Sequence, residues 1–407
     1  MKILMITPYV TIEGRPEFER NKTGFGYMVM DIAKAVGKME HVDVLATDTR
    51  GIGFEYEGVR FLKRPMIGYL CCLFNCLSLG TLLGLRKNFS MSNGSFIRLV
   101  YYWLMTGFLH KLLKEGNYDI VHIHGCDFST ELWMKVCRKC GQKFIVTLHG
   151  LNSFSDTVNL DPAGKQYERD FLKRVTEGEC RITVISTGMK VKIENSYGAK
   201  DCGNITVVCN SFNIIDNLSN EINIRNKFDI PQDAKVLLYV GNISENKNQR
   251  QMIEAYVLLP EEVRNNTWVL FCGGGDLKSL QLGVLRLPVA DQKHLVLCGP
   301  VEKSEMSNYY KASDGVILLS VAEGFGLSLV EGFHYGVPCA MFKDMDAFQD
   351  IFESYAVVSI EERNNKAVAK KLELLINREW DKQAIIKYSE KFSKEIMAKN
   401  YIKTYYE

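Results

Sequence analysis

The sequence predicts two α/β domains in series, each a doubly wound parallel sheet with helices on both faces. The first observation is length, because 407 residues exceed the ~250–300 over which a single hydrophobic core grows. The second is that short apolar, β-branched runs alternate with longer amphipathic stretches. The third is that these runs are apolar almost end to end, which is typical of parallel strands covered on both sides.

The order of these elements divides the chain near residue 210. The first domain is predicted over residues 1–210, with an apolar insertion at 65–110, a helix at 27–36, and strands at 2–7, 42–47, 119–124, 143–149, 181–186 and 204–209. The pattern restarts after a polar stretch and predicts a second domain over 211–385, with strands at 234–241, 267–274, 294–299, 315–320 and 338–342. A C-terminal helix over 386–407 is predicted to pack back toward the first domain.

Composition and charge exclude two classes of protein. A hydrophobic fraction of 46% with 21 Phe and 19 Tyr excludes an intrinsically disordered chain. A formal charge of +2 argues against a nucleic-acid partner. The charge is unevenly distributed, because residues 1–200 hold 27 Lys/Arg against 20 Asp/Glu, and residues 201–407 hold 23 against 28. The basic first half favours an anionic partner for that part of the chain.

The cysteines and the first residues indicate a reducing compartment. Most of the 12 cysteines lie inside apolar runs, as free buried thiols do. Cys137 and Cys140 form a C-x-x-C motif without a second pair at zinc-ribbon spacing, so no metal site is predicted. The opening run MKILMITPYV is interpreted as a strand and not as a signal peptide. We therefore expect a cytoplasmic protein.

One segment, from Ile67 to Leu85, passes without a charge and has basic residues on both sides. Its length is close to the ~20 residues that span a bilayer, although it also contains Asn75, Ser78 and Thr81. Three interpretations stay open. The segment is a buried helix pair, an interfacial segment that brings residues 60–98 to an anionic membrane, or a transmembrane span.

The strongest local signal follows the predicted strand at 315–320, in the string Glu323-Gly-Phe-Gly-Leu-Ser-Leu-Val-Glu331. Its glycines permit a tight turn, and a helix is predicted from Leu327 to Tyr335, ended by Gly336 and Pro338. The N-terminus of a helix behind a glycine turn is an anion site. A carboxylate inside such an apolar helix is costly to bury without a partner, so Glu331 is predicted to face a polar ligand.

This string resembles the Glu-x7-Glu signature of glycosyltransferase family 4, which comprises retaining, nucleotide-sugar-dependent enzymes of GT-B fold. Further segments resemble the family's landmarks in the same chain order: Gly24-Phe-Gly26, 119–125, Thr147-Leu-His149-Gly150, 207–210, 239–248, 271–276 and 297–301. The resemblance implies two Rossmann-like domains that face each other across a cleft. It also implies a nucleoside diphosphate sugar as substrate, and neither a cofactor nor a metal.

The resemblance also implies roles for individual residues. The catalytic residues would be Glu323, which holds the hydroxyls of the donor sugar, His149, which reaches that sugar, and Lys247, which neutralises the departing diphosphate. Glu331 would accept hydrogen bonds from the ribose. The remaining donor-binding residues lie in glycine turns, in the phosphate loop, at the helix start and beside the base, and are Gly24, Gly26, Gly241, Asn242, Val301, Gly324, Phe325, Gly326 and Leu327.

The sequence departs from the family's pattern in two places. Asn242 stands where the family often has Arg, which leaves Lys247 and the helix end with more of the anion stabilisation. Asn210-Ser211 replaces the usual Asn-Gly. Two other motifs are given ordinary interpretations, because Asp344-Met-Asp346 lies too far downstream for a metal-binding D-x-D, and His122 and His124 have no third ligand nearby.

Together these observations predict a retaining glycosyltransferase. It would move a hexose from a UDP- or GDP-sugar to a saccharide or lipid-linked glycan, in bacterial surface polysaccharide synthesis. Two alternatives are a nucleotide-sugar epimerase of GT-B shape and a Rossmann-type oxidoreductase, although a full G-x-G-x-x-G fingerprint is missing from the glycine loop at 24–26. A non-catalytic partner subunit is a third.

Overall fold

A computed structural model describes residues 1–19, 23–48, 53–63, 77–157, 161–212 and 222–407. The chain divides into two compact units. The first unit comprises Met1–Ile185, Met189–Cys209 and Lys394–Glu407, and the second comprises Ser186–Gly188 and Asn210–Ser393. The sequence placed the corresponding boundaries at 210 and 385.

The first unit is built on an eight-stranded sheet in the order β3-β4-β2-β1-β5-β6-β7-β8. All neighbouring strands are parallel except β3 and β4, which form an antiparallel hairpin at the edge. The strands are β1 (Lys2–Thr7), β2 (His41–Ala46), β3 (Phe54–Tyr56), β4 (Val59–Phe61), β5 (Ile120–His124), β6 (Phe144–Leu148), β7 (Ile182–Val184) and β8 (Ile205–Val207).

Six helices of the described residues accompany these strands. They are α1 (Gly24–Gly37), α2 (Leu79–Asn88), α3 (Asn93–Gly116), α4 (Phe128–Cys140), α5 (Pro162–Thr176) and α6 (Thr187–Ser196). Strand β1, which lies inside the sheet, is almost completely buried, and Ile3, Leu4 and Met5 have no exposed surface. This burial explains why the strand reads as an unbroken apolar run.

The second unit is built on a six-stranded, wholly parallel sheet in the order β11-β10-β9-β12-β13-β14. Its order reverses between β9 and β12, which is where an open α/β sheet forms a ligand crevice at the carboxyl ends of its strands. The strands are β9 (Lys235–Val240), β10 (Thr267–Cys272), β11 (Leu295–Gly299), β12 (Gly315–Leu318), β13 (Cys339–Phe342) and β14 (Val357–Ile360).

Shorter helices connect the strands of this unit. They are α7 (Ile224–Lys227), α8 (Gln249–Tyr256), α9 (Glu261–Asn265), α10 (Leu277–Leu285), α11 (Val289–Gln292), α12 (Met306–Lys311), α13 (Leu327–His334), α14 (Phe348–Ile351), α15 (Asn365–Asn377) and α16 (Lys382–Ser389). The predicted helix at 327–335 corresponds to α13. It ends at His334, and Gly336 behind it adopts φ +70° and donates its amide to the Phe333 carbonyl at 2.9 Å.

Every predicted strand is present, and three short strands were missed. The β3–β4 hairpin turns on Glu57 and Gly58, both with positive φ. Such a turn matches the twist of the flanking strands, but its sequence lacks the Asn-Gly or Asp-Gly that usually marks it. The third missed strand, β14, has four residues and lies at the edge of its sheet.

The predicted single helix at 386–407 is instead two helices. Helix α16 gives way to a 3-10 turn at Glu390–Phe392, and α17 (Lys394–Tyr406) follows. The turn buries Phe392 against Phe325 and Tyr388, with ring centroids 5.9 Å and 5.7 Å apart. Helix α17 belongs to the first unit, where it packs on α1.

The uncharged segment at 67–85 is described only in part, since residues 67–76 lie outside the described residues. The remainder begins α2, in which Leu82 and Leu85 are buried while Leu79 and Leu83 are half exposed. Among the described residues, no helix is both long and apolar enough to cross a bilayer.

Candidate active site

In the second unit, four loops meet at the carboxyl edge of the sheet. They follow β9, β10, β11 and β12, which are consecutive neighbours in the sheet. The loop after β9 holds Gly241, Asn242 and Lys247, and the loop after β12 holds Glu323. The sequence therefore predicted residues that the fold does bring to one edge of one sheet.

Lys247 and Glu323 pair directly, through the Lys247 ammonium and the carboxylate Oε2 of Glu323. Both side chains are mostly buried, with 26% and 18% of their surfaces exposed. The methylene stem of Lys247 lies against Gly241, where a Cβ atom would be 3.4 Å from the lysine Cε. Gly241 thus leaves room for the stem and directs the ammonium toward the loop after β12.

Asn246 holds the two loops together. Its side-chain amide donates to the Ala322 carbonyl at 2.9 Å and accepts from the Ala322 amide at 3.1 Å, while its own carbonyl accepts from the Val321 amide at 2.7 Å. A second connection runs through the buried Tyr239 hydroxyl, which donates to the Lys247 carbonyl and accepts from the Leu319 amide. These bonds fix the separation of Lys247 and Glu323.

Sequence reasoning missed both Asn246 and Tyr239. For Tyr239 a signal was available, because a tyrosine hydroxyl inside an apolar strand needs a hydrogen-bond partner. For Asn246 none was available, since its partners lie 76 residues away along the chain.

Three glycines after β10 press against the loop after β9. A Cβ at Gly273 would lie 2.1 Å from the Gly241 carbonyl oxygen, and one at Gly275 would lie 2.5 Å from the Ile243 carbonyl oxygen. The Gly273 amide also donates to the carbonyl of Gly299, the last residue of β11, at 2.8 Å. This close backbone packing brings the loop that carries Val301 to the same edge of the sheet.

Helix α13 begins at this edge. Gly326 is its N-cap, with φ +92°, and provides no side chain to cap the first free amides. The preceding Phe325 is 1% exposed and packs on Phe392. The amides at the helix start, from Leu327 on, thus have no side-chain cap, and free amides at a helix N-terminus favour an anion.

Glu331 lies in the second turn of α13 and has a partner that the sequence did not reveal. The Tyr310 hydroxyl donates to its carboxylate at 2.6 Å, and the Tyr310 ring stacks on Tyr335 at 5.8 Å. The carboxylate is thus held in place by α12, since Tyr310 belongs to that helix.

In the first unit, the two glycines of the glycine loop at 24–26 serve different purposes. Gly26 is required by packing, because a Cβ there would lie 2.3 Å from the Thr11 hydroxyl oxygen. Gly24 is the first residue of α1 and faces open space. The helix is capped by Thr23, whose hydroxyl accepts from the Gly26 amide at 3.3 Å. Of the two, only Gly24 leaves room for a ligand to approach.

His149 follows β6 and belongs to a group of histidines. Its Nε2 lies 3.1 Å from Nδ1 of His124, which ends β5, and its ring packs edge-on against Phe25 of α1 at 4.9 Å. Burial lowers the pKa of His149 to about 4, so its imidazole is neutral near pH 7. A neutral imidazole can donate one hydrogen bond and accept another.

The two motifs that were not predicted to bind metal, Asp344-Met-Asp346 and the His122–His124 pair, have hydrogen-bond partners within the protein. Asp344 lies in a turn and binds the Arg363 guanidinium through two hydrogen bonds of 2.8 Å. His122 is bonded at Nδ1 to the Tyr405 hydroxyl and at Nε2 to Thr147. Among the described residues, no group of three or more His, Cys, Asp or Glu side chains is arranged so that it could hold a metal ion.

Two family profiles match the chain. The profile described as Glycosyl transferases group 1 matches residues 220–392, and the profile described as Glycosyltransferase Family 4 matches residues 23–214. The chain belongs to glycosyltransferase family 4. The resemblance seen in the Glu323–Glu331 string is thereby confirmed.

Similar proteins agree with this assignment. An uncharacterized glycosyltransferase of Methanocaldococcus jannaschii is 24% identical over 56% of this chain and 58% of its own length. The alpha-monoglucosyldiacylglycerol synthase of Acholeplasma laidlawii is 23% identical over 60% of this chain and 62% of its own. The match thus spans about three fifths of the length of these relatives.

A solved structure shows the fold. Anabaena HepE in complex with UDP and glucose covers 99% of this chain and 99% of its own, with a TM-score of 0.65 and 15% identity. The chain therefore has the GT-B fold, as the sequence predicted.

Proposed function

We propose that this family 4 enzyme transfers a hexose, with retention, from a UDP- or GDP-sugar to a saccharide or lipid-linked glycan. The observation that carries the proposal is the Lys247–Glu323 pair at the start of α13. A cation beside an uncapped helix start suits a diphosphate, and a carboxylate beside that cation suits the hydroxyls of the attached sugar. The UDP and glucose of the HepE complex are ligands of the same chemistry.

We propose that transfer occurs in one step, without a covalent intermediate between sugar and enzyme. The acceptor oxygen forms a bond to the anomeric carbon on the face that the diphosphate leaves, and the bond from that carbon to the diphosphate oxygen breaks. The acceptor proton passes to the departing diphosphate. Lys247 and the amides at the start of α13 stabilise the charge that grows there, which is the role a metal ion plays in other transferases.

Glu323 is proposed to hold sugar hydroxyls and not to attack the anomeric carbon. Its carboxylate is engaged by the Lys247 ammonium, so its position is fixed by the phosphate-binding side chain. Glu331 is proposed to accept from the ribose, with its orientation set by Tyr310. Val301 and the backbone beside it are proposed to meet the base. From the first unit, Gly24 is proposed to admit the diphosphate and His149 to reach the sugar.

The acceptor is proposed to be presented at a membrane on its cytoplasmic side. In the first unit, Leu79, Leu83 and Ile97 are 56%, 50% and 69% exposed, and Arg86 and Lys87 accompany them at the end of α2. Exposed apolar side chains beside basic ones are what peripheral binding to anionic lipid needs. A role in surface polysaccharide or glycolipid synthesis fits this surface, and the Acholeplasma relative is named for a glycolipid.

The donor can be tested by thermal shift with UDP, GDP, ADP and their sugars. A ligand at 100 times its dissociation constant adds ~2.7 kcal/mol to the free energy of unfolding. The cognate nucleotide should therefore raise Tm more than the others. Consumption of that nucleotide sugar is then measured with and without a glycan acceptor. Acceptor-dependent consumption supports transfer, whereas isomerisation without an acceptor would identify an epimerase. The absence of any shift and turnover would contradict the proposal and favour a non-catalytic subunit.

A further inference from the structure

The histidines at the carboxyl ends of β5 and β6 form a chain of ring contacts. His122 and His124 lie on the same side of β5 with ring centroids 4.0 Å apart, and the centroids of His124 and His149 lie 5.4 Å apart. His122 has both nitrogens engaged by hydroxyls, at 2.7 Å and 2.6 Å. His124 is different, because only its Nδ1 has a hydrogen-bond partner among the residues that the structure describes.

The unengaged nitrogen of His124 decides which ring carries which proton. His124 is 2% exposed, and its Nε2 is buried without a hydrogen-bond partner in the part of the chain that the structure describes. A buried N–H without an acceptor is rarer in proteins than a buried acceptor without a donor. The proton of neutral His124 therefore belongs on Nδ1, and that Nδ1–H donates to Nε2 of His149 across 3.1 Å.

This assignment determines the second ring as well. Because Nε2 of His149 accepts from His124, the proton of neutral His149 must lie on Nδ1. Burial lowers the pKa of both imidazoles, so neither is charged near pH 7. No intramolecular hydrogen bond of Nδ1 is found among the described residues, and the ring stands beside Phe25, the second residue of α1.

We propose that His124 is a positioning residue, which locks His149 in the Nδ1–H tautomer so that Nδ1–H donates to an oxygen of the bound nucleotide sugar. The inference rests on the proposed function, and it specifies what His149 supplies: a neutral donor of fixed direction, and not a base. The accepting oxygen is either a sugar hydroxyl or a diphosphate oxygen, since both accept from N–H.

The tautomers are tested on the free protein, without any substrate. Protein labelled with ¹⁵N-histidine is studied by long-range ¹H–¹⁵N correlation, with assignments from single histidine variants. We expect a protonated Nδ1 on His124, an unprotonated Nε2 on His149, and a coupling between these two nitrogens across the hydrogen bond. A protonated Nε2 on His149 would overturn the proposal, whether or not the chain is a transferase.

The accepting oxygen is identified by adding UDP and then UDP-glucose, or GDP and GDP-mannose if the donor screen selects guanosine. A change at Nδ1 of His149 with the nucleotide alone indicates the diphosphate, and a change only with the nucleotide sugar indicates a hydroxyl. If the nucleotide sugar binds and Nδ1 does not respond, the proposed hydrogen bond is wrong.

Kinetics separate positioning from stability. In His124→Asn the side-chain amide can replace Nδ1–H as donor, whereas in His124→Phe the donor is lost. We expect kcat for the nucleotide sugar to fall at least tenfold in His124→Phe and to recover at least partly in His124→Asn. The matched control is His122→Phe, which replaces a neighbouring buried imidazole whose nitrogens bond to Tyr405 and Thr147.

Equal loss of kcat in His124→Phe and His122→Phe, at similar loss of Tm, would show a merely structural role and overturn the proposal. If none of the sugars is turned over by the wild-type enzyme, the proposed function fails instead. The assignment of the two tautomers then stands or falls on the spectra alone.

Discussion

At the scale of single residues, the ion pair between Lys247 and Glu323 affects how each side chain can bind a ligand. The ammonium is the only partner found for the Glu323 carboxylate among the described residues, and the pair is mostly shielded from water. A ligand that brings a diphosphate to Lys247 must share the ammonium with Glu323. The two substitutions should therefore have different signatures, although they break the same contact.

Lys247→Met should weaken binding of the nucleoside diphosphate itself, because the departing charge loses its cation. Glu323→Gln should not weaken that affinity, because it frees the ammonium for the diphosphate, but it should lower the turnover of the nucleotide sugar. A hydrogen bond to a charged group contributes ~1.5–3 kcal/mol, which corresponds to roughly 10- to 150-fold. Calorimetry with the nucleotide and kinetics with the nucleotide sugar measure the two effects.

The matched control for this pair is Arg250→Met, which breaks an exposed ion pair with Glu254 on α8. Such surface pairs contribute little, so we expect activity within a factor of two of the wild type. Wild-type turnover in both Lys247→Met and Glu323→Gln would mean that the site lies elsewhere.

His122 makes the first unit sensitive to acid. Burial lowers its pKa to about 3, compared with ~6.5 in an unfolded chain. Between these values the unfolded state binds a proton that the folded state does not, so the free energy of unfolding falls as the pH falls. The slope is at most ~1.4 kcal/mol per pH unit for this one group.

Urea unfolding between pH 7 and 4.5 should show a fall in stability to which the buried His124 and His149 also contribute, and His122→Gln should reduce its slope. The comparison uses the slope and not the absolute stability, because the variant also loses a hydrogen bond to Tyr405 or Thr147. An unchanged slope in His122→Gln would contradict the assignment of this acid sensitivity to His122.

At the scale of elements, helices α2 and α3 carry the exposed apolar side chains that we propose for membrane contact. Leu82 and Leu85 are buried, whereas Leu79 and Leu83 are about half exposed on the same helix. Each exposed leucine can gain up to ~1.5–3 kcal/mol on leaving water, and each basic residue near anionic lipid adds ~1 kcal/mol.

The double variant Leu79→Ser, Leu83→Ser should therefore lose at least tenfold in binding to phosphatidylglycerol vesicles. Its control is the pair Leu282→Ser, Leu285→Ser, which are equally exposed leucines on α10 of the second unit. Sedimentation with vesicles measures both at low salt. Equal binding of the two double variants would contradict a membrane role for α2.

The elements were the part of the fold best predicted from sequence. Strands such as β9 and β12 lie in mostly apolar runs of the sequence, because a strand that is buried on both faces favours apolar residues. The β3–β4 hairpin was missed because two strands of three residues carry little periodicity. The site loops were predicted from their glycines and charges, but the bonds of Asn246 and Tyr310 depend on which strands are neighbours, and no local pattern records that.

At the scale of the whole molecule, two hydrophobic cores should give separable unfolding signals. Trp103 and Trp133 lie in the first unit, and Trp268 and Trp380 lie in the second. Replacing the tryptophans of one unit by Phe leaves a reporter for the other. The saturating nucleotide should raise the free energy of unfolding reported by Trp268 and Trp380 by ~2.7 kcal/mol at 100 times its dissociation constant.

The nucleotide alone should change the signal of Trp103 and Trp133 less. The reason is that Lys247, Glu331 and the start of α13 all belong to the second unit. A larger shift at Trp103 and Trp133 than at Trp268 and Trp380 would place nucleotide binding in the first unit and contradict the proposal.

The backbone packing after β10 has a consequence for redesign. Positions 273 and 275 are closed to every residue with a Cβ, because the carbonyl oxygens of residues 241 and 243 occupy that space. Asn242 is exposed and Val301 is only partly covered, so side chains of many sizes fit at both positions. A mutant library intended to switch the enzyme to another nucleotide sugar should keep the two glycines constant and randomise 242 and 301, which concentrates the screened diversity on variants that still fold.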